Sequence, residues 1–159
     1  MKSSLILALL AMLLAIAFTG CLGFGGNNFN TNTPVNVEIG ILSDRNSHDV
    51  YLVLRDLDRE MTTSEGVAVI TAFRGKFQDN NPDSVNEFVF SETYNVRRDQ
   101  FQRVDMLHKR DVKQSSLMWK TKMPNEFDPK AFDVYKLTVV FQPVNINHRL
   151  VNQTYIVWG

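Results

Sequence analysis

An antiparallel all-β sandwich of about seven strands is the fold this sequence predicts, behind an apolar leader and a polar spacer. Three observations lead there. Apolar residues recur with period two, polar turn clusters separate the runs at short intervals, and no segment keeps helical spacing over three turns.

The first patterned run is Val35, Val37, Ile39 and Ile41, alternating with Asn36, Glu38 and Gly40, which puts the apolar side chains on one face of a strand. Val50 to Leu57 (VYLVLRDL) is rich in branched and aromatic residues and runs into the polar turn Asp58-Arg59-Glu60. Ser64-Glu65-Gly66 offers another break. Val67 to Phe73 (VAVITAF) is then apolar on both faces, as a central strand requires, and Asn80-Asn81-Pro82-Asp83 reads as a loop. Further strands are expected at Glu87–Tyr94, Phe101–Met106, Leu117–Thr121, Val134–Phe141 and Gln153–Trp158. The last two are joined by Asn145-Ile146-Asn147-His148-Arg149 as a closing hairpin.

Ahead of this region, Lys2 precedes an apolar stretch of about 14 residues from Leu5 to Phe18. Such a stretch suits the core of a signal peptide and falls short of the roughly 20 residues that cross a bilayer as a helix. Phe18-Thr19-Gly20-Cys21 follows and carries the only cysteine. This resembles the lipobox of prokaryotic lipoproteins, although Phe18 stands where that family prefers an aliphatic residue. The resemblance implies a signal peptide over residues 1–20, cleavage between Gly20 and Cys21, and a diacylglycerol thioether on Cys21. A thiol is the nucleophile such chemistry needs, and two acyl chains anchor durably where one is marginal. From Cys21 to Pro34 the chain is rich in glycine, asparagine and threonine, and reads as a flexible tether reaching on the order of 20 Å. Residues 35–159 are left for one domain.

That domain resembles the immunoglobulin-like and fibronectin-III-like modules of prokaryotic surface lipoproteins. The likeness rests on the strand–turn–strand unit Val50–Phe73, the segment Tyr94–Phe101 and the final hairpin Lys136–Trp158. It implies a two-sheet sandwich and no particular activity.

Composition narrows the function classes. Lys+Arg and Asp+Glu are both 17, so the basic surplus that a phosphate backbone demands is absent and no nucleic-acid partner is expected. One cysteine permits neither an internal disulfide nor a thiolate-rich zinc site, so no cofactor is expected and the core must carry the stability.

Several local patterns invite chemistry. Asp79-x-Asn81-x-Asp83 imitates the start of a calcium loop, but Ser84 replaces the turning glycine and Phe90 stands at the bidentate glutamate's place. Met106, His108, Met118 and Met123 carry ligand types suited to copper, yet methionine is also a common core filler. His48 and Asp49 are adjacent and should point to opposite faces of a strand. Asp56, Asp58 and Glu60 read as a hydrated hairpin end. Arg97, Arg98, Arg103, His108, Lys109, Arg110 and Lys113 read as a charged edge or loop that discourages aggregation, with contact to anionic headgroups or an acidic surface polymer as the functional counterpart. Asn152-Gln153-Thr154 is a glycosylation sequon, making Asn152 a candidate acceptor. No nucleophile elbow, zincin helix or phosphate loop is present in the sequence, and no enzyme is expected.

The sequence therefore predicts a lipid-anchored protein on the extracytoplasmic face of the membrane or the cell surface. Its domain is expected to bind or support an envelope partner without catalysis. The alternative is an accessory lipoprotein that handles a metal ion or small solute.

Overall fold

The computed structural model describes residues 30–44, 47–76, 84–107 and 113–159. Among these the chain forms strands β1 (Asn36–Ser43), β2 (His48–Arg55), β3 (Met61–Thr62), β4 (Gly66–Lys76), β5 (Glu87–Val96), β6 (Gln102–Leu107), β7 (Lys113–Lys122), β8 (Asp133–Pro143) and β9 (Leu150–Val157). A short 3-10 turn, Arg98–Gln100, links β5 to β6. Each segment expected to be extended, Glu87–Tyr94 included, has its counterpart among these strands, and the two-residue β3 is the one addition. The loop expected at residues 80–83 lies outside the described residues.

All pairings are antiparallel and form two sheets, one ordered β1-β2-β7-β6 with β3 beside β2, the other β5-β4-β8-β9. These orders correspond to A-B-E-D and C′-C-F-G of the immunoglobulin-type sandwich. The hairpin expected across the polar turn Asn145–Arg149 forms between β8 and β9.

The core follows from the pleat. Val37 and Ile39 of β1, Val50, Leu52 and Leu54 of β2, and Leu117 and Trp119 of β7 face inward from the first sheet. Opposing them, β4 and β8 set small against large where Ala68 lies beside Phe141 and Ala72 beside Leu137, with Ile70 beside Val139 between them, all fully buried. This alternation lets bulky β8 side chains extend into the intersheet space without overpacking. β4 is central, as its two apolar faces predicted, whereas Val35, expected to join the apolar face of β1, precedes the strand and is exposed.

The sandwich has two distinct ends. At one, β1 begins and β2, β5 and β8 finish, and the chain enters through Asn30 to Val35. At the other, β1, β4, β7 and β9 finish and the C-terminal residues lie. The Asn152 Nδ2 donates to the Val37 carbonyl oxygen at 2.6 Å, joining the outer strands of the two sheets near the entry end.

Asp56 organises that entry. The expectation of a hydrated hairpin end is wrong for this residue, which is buried, while Asp58 and Glu60 are exposed. Its carboxylate accepts from Asn30 Nδ2 at 2.9 Å and Asn32 Nδ2 at 2.8 Å, and from the backbone N–H groups of Asp58 at 3.0 Å and Glu60 at 2.9 Å. The donors from Asn32 and Asn30, with these amides, outweigh burial and hold the carboxyl below its usual range. Thr62 Oγ1 donates to the carbonyls of Asn30 and Asn32, and the Thr63 N–H bonds Asn30 O. The clamp thus reaches back to Asn30, within the stretch that reads from sequence as spacer.

Candidate functional site

The far end of the sandwich gathers an aromatic cluster around an open groove. The tight turn between β1 and β2 delivers His48: Ser47 N–H donates to Asp44 Oδ1 at 2.7 Å, and Asp44 N–H to Ser47 O at 3.0 Å. The Met123 N–H then bonds His48 O at 2.8 Å, docking the chain that leaves β7 against the start of β2. A turn closed by Phe127 N–H on Pro124 O carries Phe127 into the core.

His48 meets Phe127 edge-on at 5.5 Å between ring centroids and Trp158 at 4.9 Å, while Phe127 contacts Trp158 at 5.7 Å and Tyr135 at 4.6 Å. Tilted and edge-to-face contacts of this kind suit the ring quadrupoles. The His48 Nδ1 lies 3.0 Å from Ser43 Oγ. Beside the cluster, Ser47, His48, Lys122, Met123, Pro124, Asn125, Phe127 and Asp128 line a groove of about 470 Å³. Its mixed apolar and polar lining is of the type that captures a side chain or small polar group.

Phe132 stands at the same end. It is 72% exposed and has a φ of 67°. Left-handed backbone costs an L-residue roughly 1–2 kcal/mol, and a bulky aromatic is an unusual occupant. Its N–H donates to Trp158 O at 2.7 Å, and Trp158 N–H returns a bond to Asp133 O at 2.8 Å, so the C-terminal segment fixes the strained residue. Asp133 anchors the whole turn. Its carboxylate is buried, pairs with the Lys76 ammonium and accepts the Lys130 N–H at 2.9 Å. Burial alone would raise this carboxyl; the Lys76 ammonium, the Lys130 amide and the nearby Arg74 charge prevail and hold it below the usual carboxylate range.

The residues singled out from sequence are dispersed. Gly20 and Cys21 lie outside the described residues, as do Asp79, Asn81, Asp83, His108, Lys109, Arg110 and the side chains of Met106 and Lys113. Phe90, at the calcium loop's glutamate position, is buried in the core. Met118 is fully buried in β7, paired with Gln102, and Met106 sits four residues further along β6, about 13 Å away along the strand. Met123 packs at the groove, near the opposite end of β7 from Lys113. Among the described residues no group of three or more His, Cys, Asp or Glu is placed to hold a metal ion.

His48 and Asp49 diverge as expected, Asp49 turning away to accept from Lys120 Nζ at 3.1 Å. Arg97 pairs with Asp99 at the entry end, and Arg103 is exposed on the outer strand β6. The Asn152 nitrogen that a glycan would occupy is bonded to Val37 O in the folded domain. Sequence reasoning missed Phe132, Asp133 and Trp158, for which the local sequence holds no turn glycine or asparagine as a signal.

Fold and site together define an antiparallel β-sandwich with an aromatic groove at the end remote from chain entry. No family model, curated protein or solved structure matches the chain.

Proposed function

We propose that this chain is an exported lipoprotein, held by lipid on Cys21 at the extracytoplasmic face of the membrane, whose sandwich is a non-enzymatic binding module with its groove turned toward an envelope partner. The observation that carries the reading is polarity: the segment leading from Cys21 joins at Asn30, and the aromatic groove with Phe132 lies at the other end. A tether at one end leaves the other free to meet partners. An exposed aromatic kept in a costly conformation supports a recognition role, because strain concentrates where function requires it.

Two measurements test this. Wild-type protein should partition into detergent as a chain beginning at Cys21, whereas Cys21→Ser should remain unprocessed and carry no lipid. Unchanged processing and partitioning in that variant would remove the anchor. For the binding role, Phe132→Gly relieves the left-handed strain but loosens the unfolded chain, so its stability should stay within about 1 kcal/mol of the parent. Surface crosslinking of its partner should fall. A partner recovered equally by both proteins would place recognition elsewhere.

A further inference from the structure

From the entry end of the sandwich we infer a second contact surface, one that rests on a lipid bilayer. This inference depends on the lipid-anchor reading above and adds an orientation to it. Leu57 and Val144, 83% and 67% exposed, occupy the β2–β3 and β8–β9 connections, and exposed Val35 leads into β1. Turn tips are ordinarily polar, so large apolar side chains on two separate tips at one end call for an apolar environment.

Leu57 is held outward. Asp56 N–H bonds Glu60 O at 3.0 Å, and the Asp56 carboxylate binds the amides on the far side of Leu57, so the turn is braced from within. The Val144 N–H bonds Glu65 O at 3.0 Å, which ties the second tip to the start of β4. Both tips therefore move with the domain.

Chain length selects the occupant. Asn30 lies nine chain steps beyond Cys21, with eight residues between them, and is clamped at this same end. A spacer of that length has a typical reach of about 17 Å, so a lipid on Cys21 keeps these tips within a short distance of the headgroups. At the high effective concentration this creates, a contact too weak to act alone is occupied. Among the exposed side chains described at this end, Arg59, Arg97, Arg98 and Arg149 are matched by Asp58, Glu60, Glu65 and Asp99, so the attraction is apolar and insensitive to salt.

The test uses the mature lipidated chain in vesicles of phosphatidylethanolamine and phosphatidylglycerol. An environment-sensitive fluorophore is placed on Leu57→Cys and, separately, on Phe132→Cys at the far end; Cys21 is already alkylated. Flotation with the vesicles reads the anchor. The fluorophore at position 57 should then shift to the blue and be quenched by headgroup nitroxide lipids at low and high salt, and that at position 132 should do neither. Failure to float overturns the anchor and this inference with it. Flotation with an unshifted probe at position 57 leaves the anchor standing and overturns the bilayer contact. A shift at both positions means that the domain lies flat, which also overturns it. A shift at position 57 that appears only with other envelope proteins present assigns the tips to a protein partner instead.

Discussion

Phe141→Ala should destabilise the domain by about 3–5 kcal/mol, a large share of the 5–15 kcal/mol that ordinary domains possess. Phe141 is fully buried on β8, beside Ala68, and its ring lies against Gly66 so closely that a Cβ there would stand 2.7 Å from ring carbons. Truncation removes the apolar contacts and leaves a cavity flanked by an alanine and a glycine, neither of which can extend to fill it. Backbone relaxation is also limited, because β8 is paired on both sides by β4 and β9. Denaturant titration should show a lower midpoint with an unchanged slope. A cost under about 1 kcal/mol would mean that the two sheets are not packed around this ring.

The second large effect belongs to Asp133. Asp133→Ala removes a buried carboxylate that binds the Lys76 ammonium and the Lys130 amide, and the expected loss is about 2–3 kcal/mol. Lys76 itself is exposed and regains water, so the cost arises mainly from the unpaired amide and the released turn. The backbone bonds between this turn and Trp158 survive the substitution, but the turn loses the carboxylate that holds the Lys130 amide, so the variant should disturb the indole environment of Trp158, visible as a changed fluorescence maximum.

The same residue sets a pH dependence. The Asp133 and Asp56 carboxyls titrate below their ordinary values in the folded chain. The unfolded chain therefore takes up protons first as pH falls, and stability decreases below about pH 4 and on through the lower folded values. Above that range both groups are ionised in either state and contribute no slope. Glu87, held low by Arg74, acts in the same direction but is exposed and screened. Melting temperature followed from neutral to acid pH should fall steeply in the parent and less steeply in Asp133→Ala. An equal slope in both would remove the role given to this carboxylate.

The architecture was legible because strand patterning is local. Val37 and Ile39 could be assigned to the core from alternation alone, and VAVITAF announced a central strand through apolar residues on both faces. What escaped depends on contacts between distant parts of the chain. Asp56 reads as one of three acids in a turn until Asn30 and Asn32, more than twenty residues earlier, are brought to it. The groove joins His48 to Phe127 and Trp158 across the length of the domain, and no spacing rule connects them. Phe132 was illegible for a different reason: left-handed backbone is signalled by glycine or asparagine, and here neighbouring hydrogen bonds impose it on an aromatic. Met118 illustrates the opposite hazard, a residue type suggestive of metal chemistry that the fold buries as packing.

The clamp at Asn30 has a mechanical consequence. Any pull on the chain ahead of it is delivered first to the two asparagine–Asp56 bonds and the threonine hydroxyl, and then along the axis of β1. Eight register positions join β1 to β2, so the load is shared in shear across the ladder instead of opening it one rung at a time. The Asn152 bond to Val37 adds a cross-brace near the point of loading. Detaching the first strand therefore requires breaking the clamp, the β1–β2 ladder and the cross-brace.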